Sequence, residues 1–154
     1  MVRIGVTGIV LIAALALASG SFGHISAAAT GPAQIGISAE QTNFVRLNVG
    51  KSGRSPGDTE VLRQALFNKR LSTKAIGHSS VMCTYAIGRE RLCRGTYFLP
   101  KGTIVVAGSI TFRQVYELAV IGGTGLYDNA RGTLTATRIK KSPPREFLLF
   151  RLVG

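Results

Sequence analysis

Acidic residues and histidines are scarce in this chain, which limits the chemistry it can carry out. The 154 residues include 7 Asp and Glu and 2 His. The acids are Glu40, Asp58, Glu60, Glu90, Glu117, Asp128 and Glu146. No pair of them shows the arrangement expected of a glycosidase. Because His24 lies in a segment that we expect to be removed, only His78 remains, and a single histidine in a strand is more typical of a structural residue than of a catalytic triad.

Cysteine is equally sparse, with only Cys83 and Cys93 in the chain. No histidine or third cysteine lies at ligand spacing, so we predict neither a metal site nor a cofactor. The midpoint between the two cysteines is Gly88, and a hairpin turning there would place them opposite each other on neighbouring strands. We therefore predict a Cys83–Cys93 disulfide in an oxidising compartment. It closes a short loop, so its stabilisation should be about 2 to 3 kcal/mol.

Long runs of basic residues are also missing, although the formal charge is +12. The densest cluster is Arg89, Arg91 and Arg94, and Lys140-Lys141 forms a short pair. No nucleic-acid-binding module is visible, so we expect no nucleic acid partner. The charge indicates a solvated basic surface, or one that contacts anionic polymers of the cell envelope.

The longest apolar run lies near the N-terminus. Residues 8–18 carry no charge and follow Arg3, and their length fits the apolar region of a signal peptide but is too short to cross a bilayer as a helix. Residues 27–29 supply small side chains for cleavage. We therefore predict that residues 1–29 are a cleaved secretory signal peptide and that the protein is secreted. An earlier cut after Gly20 and an uncleaved N-terminal anchor are the alternatives.

No convincing amphipathic helix longer than two turns is present. Residues 59–71 come nearest, but their apolar period is ambiguous between helix and strand. Elsewhere, short β-type runs are separated by Gly, Pro, Ser and Lys. After a flexible segment at 30–40, we predict an all-β domain over 41–154, an eight-stranded antiparallel barrel or sandwich. Its strands are expected near residues 41–49, 58–68, 74–87, 91–99, 103–112, 115–121, 131–139 and 146–153.

Two of these runs are apolar on both faces. In residues 103–112, Ile104 and Val106 share one face while Val105 lies on the other, and residues 146–153 show the same pattern. A strand of this kind is covered on both sides, on one by the barrel lumen and on the other by a neighbouring subunit. The pattern predicts a homo-oligomer.

The most specific motif is AVIGGTGLYDNARG at residues 119–132. It lacks the third glycine of a dinucleotide-binding loop and the Lys-Ser/Thr of a phosphate-binding loop, and strands rather than a helix follow it. Its glycines permit positive φ and close approach of the backbone. We therefore predict a structural corner between two strands, formed by Gly122, Gly123, Gly125 and Gly132.

The GGTGLYDNARG segment resembles the signature of the dirigent proteins and of allene oxide cyclase-like barrels, in which a strand ending in GGTG is followed by a short turn and Ala-Arg-Gly. The order of the other strands extends the resemblance over residues 43–153, and the short length is similar to that of bacterial secreted members. The resemblance implies an eight-stranded antiparallel barrel, commonly trimeric, with a hydrophobic lumen open at one end. It also implies guidance of cyclisation or coupling by positioning.

Two charged residues match positions of the family. Arg131 matches the arginine of the Ala-Arg-Gly signature, which implies a role in the lumen or at its rim; alternatively, it fixes the corner by hydrogen bonds to backbone carbonyls. Asp58 matches an acidic position near the start of the second strand, and its alternative role is that of a turn acceptor. Leu126 stands where several plant dirigent proteins carry an acid, which weakens the case for acid-assisted cyclisation.

The tyrosines are the remaining candidates, as hydrogen-bond donors to a ligand. They are Tyr85, Tyr97, Tyr116 and Tyr127. The function expected from the sequence is a secreted barrel that binds a hydrophobic small molecule and guides its cyclisation or coupling; if enzymatic, it would be an isomerase or cyclase that positions its substrate. The alternatives are a non-catalytic ligand-binding barrel and a basic protein that interacts with the cell envelope.

Overall fold

The computed structural model describes residues 33–50, 52–68, 74–111 and 113–153, and the predicted signal peptide at 1–29 lies outside them. The described chain forms eight antiparallel strands that close into a barrel in sequence order. The strands are β1 Ala33–Leu47, β2 Thr59–Asn68, β3 Gly77–Tyr85, β4 Glu90–Leu99, β5 Gly102–Thr111, β6 Val115–Gly123, β7 Arg131–Lys141 and β8 Pro144–Val153. A short 3-10 helix, Gly125–Tyr127, joins β6 to β7. No helix in these described ranges is both long enough and apolar enough to cross a membrane.

The predicted all-β barrel is confirmed, with differences at the strand ends. The segment at 59–71, whose period was ambiguous, contains β2. Strand β1 begins at Ala33, so residues 33–40, expected to be flexible, belong to the barrel instead. They pair with β8 from Ala33 opposite Leu152 to Glu40 opposite Arg145. This pairing supplies the backbone hydrogen bonds that β8 would otherwise lack along one edge, which is why the segment is ordered.

The barrel has two different ends. The end formed by the connections β1–β2, β3–β4, β5–β6 and β7–β8 is called the open end, and the end formed by β2–β3, β4–β5 and β6–β7 is called the closed end. Inward-facing side chains fill the closed half: Tyr97 meets Phe150 edge to face, with ring centroids 5.1 Å apart. The other large, fully buried apolar side chains are Ile37, Leu66, Ile104, Leu134, Leu148 and Val106.

Alternation along the strands decides which side chains face inward. In β5, Ile104, Val106 and Ile110 are buried, while Val105 on the opposite face is partly exposed. This is the two-faced pattern predicted from the sequence, and it follows from the two-residue period of a strand. Away from the bulges in β1, β6 and β7, alternate residues of a strand therefore face the lumen, whether they are apolar or polar.

The Cys83–Cys93 disulfide is present as predicted. The two residues oppose each other across β3 and β4, and the connecting turn contains Gly88 with φ of 73°. Both cysteines are buried and face the lumen. The bond therefore joins two strands on the inner wall of the barrel.

The glycine-rich corner lies at the closed end, between β6 and β7. Gly125 and Gly132 adopt positive φ, 63° and 137°. Gly123 lies against the backbone carbonyls of Thr103 and Tyr127, where a side chain would not fit, whereas Gly122 has open space around it. The corner is thus built from close backbone approaches at Gly123, Gly125 and Gly132, whereas Gly122, also predicted to form it, makes none.

Candidate functional site

A cavity of about 720 Å³ occupies the half of the barrel that leads to the open end. Its size is that of a small-molecule site. Residues of the open-end connections surround its mouth, among them Arg54, Arg113, Gln114 and Pro144. Its apolar wall consists of Leu62, Val81, Cys83, Cys93, Ile110 and Leu118. A hydrophobic molecule of modest size would therefore replace water against most of this wall.

A buried carboxylate faces this apolar wall. Glu146 is the first buried residue of β8, two positions before Leu148, and is only 9% exposed. The Tyr116 hydroxyl lies 3.1 and 3.0 Å from its two oxygens, and the Gln64 amide donates to it at 2.9 Å. The Ser79 hydroxyl in turn donates to the Gln64 carbonyl oxygen at 2.9 Å. These hydrogen bonds fix the carboxylate and hold Tyr116 against it.

Arg138 balances the charge of this carboxylate. Its Nε lies 3.4 Å from Glu146, and its guanidinium carbon lies 5.8 Å from the centre of the Tyr116 ring. The arginine thus contacts the carboxylate and the tyrosine together. A buried ion of either sign needs such a partner, because burial alone strongly disfavours its charged form.

Tyr97 and Tyr116 are protonated donors at neutral pH. Burial and then the charge of Glu146 raise the pKa of both phenols above the ordinary value, because each opposes formation of a second negative charge. Tyr97 lines the cavity, and its hydroxyl makes no hydrogen bond to another described residue. Its O–H is therefore available to an oxygen or nitrogen of a bound molecule.

A second polar group lies on the cavity wall near the turn between β3 and β4. Glu60 of β2 accepts hydrogen bonds from the Tyr85 hydroxyl at 2.8 Å, from Arg91 at 2.8 Å and from Arg46 at 3.2 Å. The guanidinium groups of Arg91 and Arg46 also lie 5.6 and 5.8 Å from the centre of the Tyr85 ring. Two arginines and one tyrosine thus surround the Glu60 carboxylate. The positive charges of the arginines neutralise this carboxylate within the cavity wall.

The four predicted tyrosines lie in three places. Tyr97 and Tyr116 line the cavity. Tyr85 is absent from this lining and donates a hydrogen bond to Glu60, which does line the cavity. Tyr127 belongs to the 3-10 helix at the closed end, away from the cavity. The structure therefore brings two of the four together.

Asp58 is buried in the loop between β1 and β2, and it does not line the cavity. Its carboxylate accepts hydrogen bonds from the Ser55 N–H at 2.9 Å, the Val49 N–H at 3.0 Å and the Ser55 hydroxyl at 3.1 Å. The hydrogen bonds from the backbone lower the pKa of Asp58. Its stabilisation of the loop is therefore present above its ordinary pKa and lost as the pH falls through the lowered value. These contacts match the alternative role of Asp58 as a turn acceptor.

Arg131 lies at the closed end, across the barrel from the cavity. Its Nη1 donates to the backbone carbonyls of Ile121 and Ala130, both at 3.1 Å. These contacts fix the corner and match the alternative that the sequence left open. The segment that carries the family resemblance is thus at the opposite end from the cavity, and neither Arg131 nor Asp58 touches it.

Sequence reasoning passed over Glu60, Gln64, Arg138 and Glu146, which form the polar part of the cavity. A signal for two of them was present: in β2, Glu60 and Gln64 share their face with Leu62 and with the fully buried Leu66. A charged residue in register with core residues of a barrel strand must lie inside the barrel.

The sequence matches no protein-family model and no curated protein. Solved structures do match its fold. A pyocyanin demethylase superposes with a TM-score of 0.65 at 21% identity, covering 75% of this chain and 98% of its own. A pterocarpan synthase dirigent protein gives 0.60 at 15% identity, covering 79% and 82%. A nonspecific heme-binding cyclase that catalyses [4 + 2] cycloaddition gives 0.64 at 16% identity, covering 79% and 64%.

The chain has the barrel fold of the dirigent proteins. At these identities the likeness establishes the dirigent-type fold alone, and the fold expected from the GGTG signature is thereby confirmed. In the ranges that the structure describes, no group of three or more His, Cys, Asp and Glu side chains is placed to hold a metal ion.

Proposed function

We propose that this protein is exported and that its dirigent-type barrel binds a hydrophobic small molecule and guides its cyclisation or coupling. The observation that carries the proposal is the cavity of about 720 Å³, whose apolar wall faces the donors Tyr97 and Tyr116 and the carboxylate of Glu146. A pocket with apolar walls and a few convergent polar groups is typical of a site that orients one ligand.

The chemistry expected of such a site is mainly positional. The Tyr97 hydroxyl would hold a carbonyl or phenolic oxygen of the substrate, while the apolar wall folds the remainder into one reactive conformation. Glu146, linked to Tyr116, would accept or return a proton during ring closure. A cyclisation of this kind is an isomerisation and needs no further reactant. Coupling would act on radicals that an oxidant elsewhere has produced.

The neighbouring structures support this proposal. Two of them are a pterocarpan synthase dirigent protein and a cyclase that catalyses [4 + 2] cycloaddition. A purely ligand-carrying barrel, the first alternative, would require apolar walls but no buried Tyr116–Glu146 pair. The second alternative, a basic protein of the cell envelope, leaves the cavity without a role.

Export and assembly form part of the same proposal. The disulfide suits an oxidising compartment, and the apolar N-terminal run suits a signal peptide. On the outer face, Val105 and Leu149 stay partly exposed in the single barrel. We infer that a second and a third copy cover them in a trimer.

Ligand binding is tested by native mass spectrometry of the purified protein, which should show a trimer carrying a small hydrophobic compound. Val81→Trp fills the cavity and should weaken binding of the neutral dye N-phenyl-1-naphthylamine at least about tenfold, because the indole takes the space of the ligand. Met82→Trp is the matched control, since Met82 is the next residue and is half exposed outside the barrel. Equal dye binding in both variants would show that the cavity does not bind the dye.

Replacement of the donor separates a cyclase from a carrier. Tyr116→Phe removes only a hydroxyl, and we expect it to lower conversion about a hundredfold, within the range of a lost general acid or base. The variant should then retain an uncyclised compound of the same mass as the compound held by the wild type, but with different chromatographic retention. Tyr127→Phe, at the closed end, should behave as the wild type. If all three proteins hold the same compound, the barrel is a carrier.

A further inference from the structure

The open end exposes aliphatic side chains on each of its four connections. Val49 is 75% exposed, Ile87 87%, Val115 48% and Ile139 63%, and they lie on or beside the β1–β2, β3–β4, β5–β6 and β7–β8 connections respectively. They are spread around the rim of the barrel instead of forming one patch on its side. Because all four lie at the same end of the barrel, one planar apolar phase can contact them together.

Basic residues accompany these side chains on or beside the same connections. They are Arg54, Arg89, Arg113 and the pair Lys140-Lys141. Arg113, Lys140 and Lys141 form no ion pair with any other residue that the structure describes. The loop carboxylate of Asp58 is buried and bonded to Ser55. Glu90, beside Arg89, is the exposed carboxylate among the described residues at these connections, and it accepts a hydrogen bond from the Ser109 hydroxyl. Against it stand the five basic residues, so the rim is apolar at its tips and carries a net positive charge around them.

We propose that the open end docks on a lipid bilayer that carries anionic headgroups, with the aliphatic tips in the interfacial region and the basic side chains among the phosphates. Burial of apolar side chains and attraction of Lys and Arg to anionic lipids act together in such binding. A soluble polyanion would use the basic residues but not Val49 and Ile87. The combination of both kinds of residue around one rim is what favours the bilayer.

The described residues of the closed end show this combination more weakly. Leu126 and Val153 are 66% and 54% exposed there, Asp128 lies beside Leu126, and the basic residues are Lys74, Lys101 and Arg131. Docking through the open end would face the cavity mouth towards the bilayer, so that a hydrophobic ligand could pass between membrane and lumen. That consequence rests on the proposed function, whereas the docking itself does not.

Vesicle sedimentation tests the docking, with phosphatidylcholine vesicles compared with vesicles that also contain phosphatidylglycerol. We expect binding to the anionic vesicles only, and weaker binding as salt is added. Arg89→Gln should reduce the affinity about fivefold, and Val49→Gln/Ile87→Gln at least about tenfold. The controls Lys101→Gln and Leu126→Gln change one basic and one aliphatic residue at the closed end and should stay within about twofold of the wild type.

Three results would overturn the proposal. One is absence of sedimentation with anionic vesicles. The second is unchanged binding in Val49→Gln/Ile87→Gln, which would indicate polyanion contact without insertion, or binding through the N-terminal residues that all variants share. The third is an equal loss in the closed-end controls. Dye binding is measured on the same samples; because Val49, Ile87 and Arg89 do not line the cavity, failure of docking and failure of ligand binding are seen separately.

Discussion

Gly132→Ala is expected to prevent the barrel from closing, whereas Gly122→Ala should leave it intact. Gly132 has φ of 137°, a conformation that a residue with a side chain rarely adopts. A Cβ at this position would overlap the backbone carbonyl of Arg151 in β8, beside the pairing of Gly132 with Leu152. The strain and the lost β7–β8 pairing together should cost more than about 4 kcal/mol of unfolding free energy.

The matched control lies ten residues earlier in the same motif. A Cβ on Gly122 would have only the Arg131 Nη1, at 3.9 Å, within reach. Its substitution should change the unfolding free energy by no more than about 0.5 kcal/mol. Urea denaturation followed by circular dichroism, with size-exclusion chromatography, compares the two variants. Equal stability would mean that the corner tolerates a side chain at position 132, against the geometry described above.

Glu60→Gln is expected to destabilise the barrel by about 3 kcal/mol, the cost of removing one member of a buried ion pair. Glu60 and Arg91 are both almost fully buried and lie 2.8 Å apart, so the charge of Arg91 would lose its counter-ion inside the wall. Tyr85 and Arg46, which both donate to Glu60, would then face a neutral amide instead of a carboxylate. The loss should appear as a lower denaturation midpoint in urea.

Glu117→Gln provides the control for this substitution. Glu117 is exposed and accepts one hydrogen bond, from Thr135 at 2.9 Å, so its change should stay within about 0.5 kcal/mol. The double variant Glu60→Leu/Arg91→Met replaces the pair by apolar side chains and should recover a large part of the stability. If Glu60→Gln is as stable as the wild type, the stability of the barrel with Arg91 buried beside Tyr85 does not depend on the charge of this carboxylate.

Much of the fold was predictable because its signals are local. Apolar residues in alternation, with Gly and Pro between runs, indicated the strands, since a strand repeats every two residues. The spacing of Cys83 and Cys93 around Gly88 predicted both a hairpin and a disulfide. The first part of β1, residues 33–40, was missed because its order depends on pairing with β8, more than a hundred residues away in the chain, and not on its own composition.

The candidate site was less predictable, and the positions of Arg131 and Glu146 show why. Arg131 was a candidate because it belongs to a motif. That motif, however, forms the closed-end corner and does not contribute to the cavity. Glu146 stood out in no motif. It meets Tyr116 and Gln64 only because barrel closure brings β8, β6 and β2 around one lumen, and Gln64 lies 82 residues from it in the chain.

The sequence by itself determined the all-β class, the approximate positions of the strands, the disulfide and the position of the glycine corner, because each depends on residues close together in the chain. Tertiary structure alone decided which end of the barrel opens and which polar residues face one another across it. The physical reason is that a strand assigns each side chain to a face, but only the closed ring of strands determines which inward side chains meet, and whether they fill the lumen or leave a cavity.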